Sequence, residues 1–310
     1  MKILISDALS PAAADVLRVA GHDVTVKTGL PPDELVATLQ GCAALLVRGA
    51  TKVTSAVIEK SPALRVVARA GTGLDNIDVA AAKQRGITVL NTPAANAISV
   101  AELTIGLVLA LERHLVGAAS DLRQGRWEKT KYAAGREVCG RSLALIGFGR
   151  IGREVALRAR AFSMTVTAFD PGIHHWPAGF DWATRAESLD QLLGDADYLS
   201  LHIPLTGQTK NLIAARELGL MKKSAVLVNC ARGGVVDEVA VATALRADRL
   251  GGAALDVFEH EPLGVNSPLA GCPRLILTPH IAGVTRESNE RVSSMIAQRV
   301  TDALTAGNHR

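Results

Sequence analysis

Aromatic side chains are scarce in this sequence. Five phenylalanines, three tryptophans and two tyrosines make up 3% of its 310 residues, so its cores must be built from Ala, Val, Leu and Ile. Cysteines are few and scattered. Cys42, Cys139, Cys230 and Cys272 form no CxxC pair and no Cys/His cluster, which argues against a zinc site or a disulfide framework. Long apolar runs are missing too. The longest, Ile98 to Leu111, carries Glu102 and falls short of the roughly 20 residues a bilayer demands. The N-terminus, Met1-Lys2-Ile3-Leu4-Ile5-Ser6, has the pattern of a strand rather than a signal peptide, so a cytoplasmic protein without a membrane partner is expected. Charge of one sign is nowhere concentrated. The net +4 comes from dispersed lysines and arginines, with no basic block or aromatic-interleaved stripe, and nucleic acid is not an expected partner. No internal repeat or low-complexity tract is present.

What is there describes an ordinary globular chain, 48% hydrophobic and 21% charged. A single core rarely grows past roughly 250–300 residues, so 310 residues imply two domains. Strand-like runs recur at Lys2–Ser6, Asp23–Val26, Ala44–Val47, Val66–Ala68 and Ile87–Leu90, with helical patterns between them such as Ser10–Ala20. Such alternation predicts a parallel sheet with helices on both faces. The turn-rich Asn91-Thr92-Pro93-Ala94-Ala95-Asn96 then reads as a hinge. Ser99 to Arg123 predicts one long helix, apolar around most of its first half, and all-round apolarity means burial on all sides. One domain covers one face. A second subunit is expected on another, giving a homodimer through the 99–123 region; burial within the chain alone is the alternative.

The second half is organised around Ser142-Leu143-Ala144-Leu145-Ile146-Gly147-Phe148-Gly149-Arg150-Ile151-Gly152. A buried strand breaks into Gly147-x-Gly149-x-x-Gly152 and runs on into a helix. Such a turn aims backbone N–H groups and the positive helix end at one point, which suits a pyrophosphate. The helix leads to a second strand, Thr165–Phe169, which ends in Asp170, eighteen residues after Gly152. An acid there accepts from both ribose hydroxyls and repels a 2′-phosphate, so the expected cofactor is NAD rather than NADP. Further strands are expected at Tyr198–Leu201, Ala225–Asn229, Gly252–Ala254 and Leu275–Thr278, and helices at about Leu189–Leu193, Ala215–Leu220 and Glu238–Ala247. The final helix, Thr285 to Leu304, follows the completed sheet and is long enough to pack back on the first domain. The expected architecture is α/β: two Rossmann/flavodoxin-like parallel-sheet domains. A discontinuous substrate-binding domain takes residues 1–94 plus 283–310, and an NAD-binding domain takes 95–282.

Three strand ends of the second unit carry polar residues that a core would not tolerate. Asn229-Cys230-Ala231 delivers Arg232, whose planar fork suits a carboxylate, followed by Gly233-Gly234 for close approach to a ligand. Asp256, Glu259, His260 and Glu261 crowd the end of the next strand, and Thr278-Pro279-His280 ends the last. The segments Asn229 to Glu238, Leu255-Asp256-Val257-Phe258 through Glu261-Pro262, and Thr278-Pro279-His280 resemble the hallmark segments of the D-isomer-specific 2-hydroxyacid dehydrogenases, and the resemblance runs from about Ile3 to the last helix.

That resemblance implies a catalytic trio of Arg232, Glu261 and His280, an active site in a cleft between the domains, and a dimer. His280 is placed as the base for the hydroxyl proton, since an ordinary imidazole titrates at about 6.5, near neutrality. Glu261 orients it, and Arg232 fixes the carboxylate and polarises the reacting oxygen. The implied cofactor contacts are Gly147, Gly149, Arg150, Ile151, Gly152 and Asp170 in the turn and the strand after it. Thr72, Val100, Ile203, Pro204, Cys230, Ala231, Asp256, His280, Ala282 and Gly283 complete them. Substrate contacts fall on Arg48, Arg69, Ala70, Gly71, Lys129, Arg232 and His280. No metal is expected.

Val47-Arg48-Gly49-Ala50-Thr51-Lys52-Val53-Thr54, Ala68 to Asn76 and Gly125-Arg126-Trp127-Glu128-Lys129 resemble the family members that act on D-3-phosphoglycerate. Arg48, Arg69, Lys129 and Lys131 carry more positive charge than one carboxylate needs, which a phosphate on the substrate would explain. Glyoxylate, hydroxypyruvate and sulfolactate remain open as substrates. So does an NAD-dependent corepressor-like binding role, which can keep the trio. Regulation through a domain beyond the last helix is not expected.

Overall fold

The computed structural model describes residues 1–306; the last four residues of the predicted 283–310 segment lie outside the described residues. The chain divides into two compact units, Met1–Asn96 with Val284 onward, and Ala97–Gly283.

The first unit holds β1 (Lys2–Ile5), β2 (Asp23–Val26), β3 (Cys42–Val47), β4 (Val66–Arg69) and β5 (Thr88–Leu90), all parallel, in the order β2-β1-β3-β4-β5. Side chains alternate across the pleat, so neighbouring residues of one strand feed opposite cores. Ile3, Ile5, Ala44 and Leu46 pack with Ala13 and Leu17 of α1 (Pro11–Val19) and with Val292, Ile296, Val300 and Leu304 of the terminal helix, Arg286–Ala306. Leu4, Leu45, Val47 and Val67 pack on the other face with α2 (Pro32–Thr38), α3 (Ser55–Glu59) and α4 (Val79–Gln84). The strand order reverses at β1, between β2 and β3. In an open parallel sheet that switch point is where the carboxyl ends of the strands leave room for a ligand.

The second unit has seven strands: β6 (Ser142–Ile146), β7 (Thr165–Phe169), β8 (Thr184–Arg185), β9 (Tyr198–Leu201), β10 (Val226–Asn229), β11 (Gly252–Leu255) and β12 (Leu275–Leu277). Their order is β12-β11-β10-β9-β6-β7-β8, again parallel, with the switch between β9 and β6. One face is covered by α5 (Ala97–Glu112) and α7 (Arg150–Ala161), the other by α8 (Leu189–Asp195), α9 (Ala215–Leu220) and α10 (Glu238–Arg246). β8 is two residues long and has no alternation for a sequence pattern to reveal.

The single helix predicted over Ser99–Arg123 is two, α5 and α6 (Leu115–Arg123), bent by 65°. Between them His114 takes a left-handed φ of 51°, a conformation that histidine tolerates better than most residues. Glu112, the last residue of α5, is tied to a segment distant in sequence. Its carbonyl accepts from the Arg136 N–H at 3.2 Å, and its buried carboxylate receives Arg136 at 2.8 and 2.5 Å. Residue 136 therefore takes the carbonyl that a continued helix would use. α5 is mostly buried within its own unit, whereas Leu115, Val116 and Leu122 of α6 are exposed. No single helix among the described residues is long and apolar enough to cross a membrane.

Candidate active site

The glycine turn sits at the switch point of the second sheet. Gly147 has φ 93°, and a Cβ there would come 2.5 Å from the His202 carbonyl oxygen; one on Gly152 would come 2.2 Å from that of Gly147. Both glycines are required by close backbone approach. Around Gly149 the space is open, and no side chain caps the N-terminus of α7, which begins at Arg150 and Ile151. An uncapped helix end beneath an unobstructed glycine fits a pyrophosphate. Asp170 follows β7 directly. Its Oδ2 accepts from the Phe148 N–H at 2.8 Å and its Oδ1 from the Gly172 N–H at 3.0 Å, which leaves each oxygen a lone pair for a ribose hydroxyl.

Beneath the turn, His202 is enclosed. Burial pushes its imidazole down to about 3, its Nδ1 has no hydrogen-bond partner, and its Nε2 lies 3.0 Å from Ser200 Oγ. Ile203 and Pro204 follow it. Val100, Cys230 and Ala282 lie in the core layer under α5 and α7, and burial pushes the Cys230 thiol up to about 12, so it is no thiolate at neutral pH.

At the carboxyl ends of the adjacent strands β10, β11 and β12 stand Arg232, the loop from Asp256 to Glu261, and His280. His280 Nδ1 lies 2.7 Å from Glu261 Oε2, and the other Glu261 oxygen accepts from the Phe258 N–H at 3.0 Å. With Nδ1 engaged, Nε2 is the nitrogen left for substrate. His280 holds a left-handed φ of 54° because Asp256 fixes its loop. The Asp256 carbonyl accepts from the His280 N–H at 2.8 Å. Its fully buried carboxylate receives Thr278 Oγ1 at 2.6 Å and the N–H groups of Ile281 and Ala282 at 2.9 and 2.8 Å. Asp256, expected as a cofactor contact, braces the His280–Gly283 loop.

The turn that carries Arg232 is held by Asn229, whose side chain accepts from the Ala231 N–H and donates to the Arg232 carbonyl, both at 3.0 Å, while the Arg232 guanidinium donates from Nη1 to the Ala231 carbonyl at 2.6 Å. The expected role of Gly233, room for a ligand, is corrected. A Cβ on Gly233 would fall 1.8 Å from the Phe258 carbonyl oxygen, so the close approach is to the Glu261-bearing loop. Glu259 and His260 are exposed, and the Glu259 N–H is taken by Glu238 at 2.7 Å.

In the first unit, Arg48 follows β3 at that sheet's switch point. Its N–H donates to Asp7 Oδ2 at 2.6 Å, and Thr51 donates to the same carboxylate from N at 3.1 Å and from Oγ1 at 2.6 Å. The Arg48 guanidinium is half-buried and desolvation lowers its pKa, opposed by Asp7; its partner is a neutral amide, Asn289 Oδ1, at 2.9 Å. Arg69 donates from Nε to the Arg48 carbonyl at 2.7 Å and from Nη1 to that of Gly73, so it braces Arg48. Ala70 and Gly71 continue that turn, and Thr72 Oγ1 donates to Asn96 at 3.0 Å. Lys129 is exposed. Lys131, counted as surplus charge, is held by Asp121 at 2.8 Å together with Arg126 and Tyr132, which hold that carboxyl well below its usual range.

The sequence reading missed Asp7, Asn229 and Asn289 as positioning residues. Asp7 and Asn229 had a signal in the sequence, a polar side chain at the carboxyl end of an apolar strand. Asn289 had none.

Residues 105–282 match the model of the D-isomer specific 2-hydroxyacid dehydrogenase family, NAD binding domain. The chain belongs to that family, and its second unit is the NAD-binding domain. It is 42% identical over 98% of its length to a D-3-phosphoglycerate dehydrogenase of Methanocaldococcus jannaschii, of which it covers 57%; the chain spans little more than half the length of the curated relatives it matches. Among solved structures it is similar to the TT0316 protein from Thermus thermophilus, with TM-score 0.90 and 36% identity, covering 99% of this chain and 97% of that one. It is also similar to a glyoxylate reductase from Paecilomyes thermophila, with TM-score 0.88 and 29% identity over 99% of this chain and 95% of the other.

Proposed function

We propose that this chain oxidises D-3-phosphoglycerate at its 2-hydroxyl to 3-phosphohydroxypyruvate with NAD, a step that would feed serine biosynthesis. The observation that carries the reaction type is the 2.7 Å pair of His280 and Glu261, which follow β12 and β11, the two strands next in order to β10, after which Arg232 stands. Arg232 holds the substrate carboxylate through its fork. His280 Nε2 receives the hydroxyl proton, and Glu261 holds the ring so that this nitrogen faces the hydroxyl. Bound NAD supplies the acceptor for the hydride that leaves C2. The proton and the hydride together account for the two hydrogens lost.

The choice of a phosphorylated substrate rests on Arg48, a desolvated cation whose partner is uncharged, and on the phosphoglycerate dehydrogenases among the relatives. Glyoxylate or hydroxypyruvate reduction is the second reading, favoured by the likeness to a glyoxylate reductase. A cytoplasmic homodimer belongs to the same proposal, supported by the exposed Leu115, Val116 and Leu122 of α6.

The test is Arg48→Ala with three substrates. The KM for D-3-phosphoglycerate should rise by roughly one to two orders of magnitude, the weight of a charged hydrogen bond of about 1.5–3 kcal/mol. The KM values for hydroxypyruvate and glyoxylate should move little. A uniform loss across all three would assign Arg48 to the fold or to the shared carboxylate.

A further inference from the structure

In a chain so poor in aromatics, four of them meet in one place. Phe148, the residue between the first two glycines of the turn, is wholly buried, and its ring lies flat on Trp176, 4.6 Å between centroids and 5° from parallel. Phe180 meets the same ring edge-on at 5.3 Å and 85°, and Trp182 leans on Phe180 at 5.6 Å. The Trp176 indole N–H donates to the Phe180 carbonyl at 3.1 Å, that of Trp182 to the Gly179 carbonyl at 2.9 Å, and the Arg160 guanidinium of α7 sits 4.6 Å over the Trp182 ring. The segment from Asp170 to Ala183 has no helix and no strand of its own; turn hydrogen bonds at Ile173, Phe180 and Ala183 and these rings and indole bonds hold it.

The same residue, Phe148, is gripped twice. Its ring is stacked by Trp176, and its N–H is held by Asp170 at 2.8 Å. Glycine turn and acid are the two parts of the frame that read a dinucleotide's pyrophosphate and ribose. The stack joins the segment that follows the acid to the turn itself. A carboxylate discriminates against a 2′-phosphate only while it is kept in place. A loosened Asp170 can swing toward solvent, which removes both its hydrogen bonds to the ribose and its repulsion of the phosphate.

We propose that Trp176 is a positioning residue for cofactor choice: by stacking on Phe148 it holds Asp170 against the glycine turn and so sets the preference for NAD over NADP. The proposal rests on NAD binding by this domain and is independent of the hydroxy acid used.

The experiment compares the wild-type chain with Trp176→Ala, Trp176→Leu and Trp176→Phe, measuring dissociation constants for NADH and for NADPH by cofactor fluorescence without substrate. Trp176→Ala should weaken NADH by roughly three- to tenfold, the weight of one aromatic stack, with NADPH affinity unchanged or improved. The NADPH-to-NADH ratio of dissociation constants should therefore fall at least threefold, and Trp176→Phe, which keeps a stacking face, should restore it. Should Trp176→Ala not fold, the same fall is expected in Trp176→Leu. An equal loss for both cofactors would make Trp176 a general support of the unit and overturn the proposal. An unchanged ratio in the Leu variant would do the same. A wild type with no preference for NADH would instead overturn the assignment of Asp170.

Discussion

His280 Nδ1 and Glu261 Oε2 are 2.7 Å apart, and the glutamate is itself anchored at its second oxygen by the Phe258 N–H. A ring held on one nitrogen by a fixed carboxylate presents the other nitrogen in one orientation, which general base catalysis needs. His280→Ala should lower kcat by about 10²–10⁴ while NADH binding is largely kept. Glu261→Gln should move the pH profile of turnover without abolishing it. Steady-state rates across pH, with NADH titrations beside them, check both. Near-normal turnover in His280→Ala would remove the proposed proton path.

Asp170 offers a second handle. Both its oxygens are held by backbone N–H groups, so the negative charge is fixed beside the glycine turn. Asp170→Ala should weaken NAD far more than NADP, because the acid both binds the ribose and repels the extra phosphate. Calorimetric titration of each cofactor measures this. A variant that loses both equally would show that the carboxylate serves only to fix the Phe148 amide.

His202 makes stability depend on pH. Its imidazole is neutral in the folded chain, with a value near 3 against 6.5 when exposed. Between those values the unfolded chain binds the proton and the folded one does not, so this contribution is complete above about pH 6.5 and is lost as the pH falls toward 3. At pH 5 the loss is about 2 kcal/mol, from 1.36 kcal/mol per unit. Denaturant unfolding of wild type and His202→Gln at pH 7 and pH 5 should show the wild type losing about 2 kcal/mol more than the variant. Parallel losses would contradict the buried neutral ring.

Much of this molecule is legible in its sequence because parallel sheets announce themselves. Leu143–Ile146 and Val226–Asn229 are apolar runs that end in glycine, asparagine or a charged residue, and that pattern marks both the strand and the edge where ligands gather. The pairing of Arg232, Glu261 and His280 at neighbouring strand ends follows from the strand order, which periodicity alone does not fix. What stayed hidden depends on contacts distant in sequence. Nothing near Arg113 and His114 breaks a helix; the break comes from Arg136, which binds the last carbonyl and carboxylate of α5. Asn289 finds Arg48 across 241 positions of chain. Gly233 looked like a ligand contact because a glycine signals close approach without naming what approaches, and here it is the Phe258 backbone.

The most direct measurement is NADH formation by the purified full chain with NAD and D-3-phosphoglycerate, set beside the reverse reaction with hydroxypyruvate and glyoxylate and oxidation of sulfolactate. NADH release with D-3-phosphoglycerate is expected, at a kcat/KM above the values for the other three, with little reaction with NADP. No turnover of any 2-hydroxy or 2-oxo acid with either cofactor would contradict the proposed function.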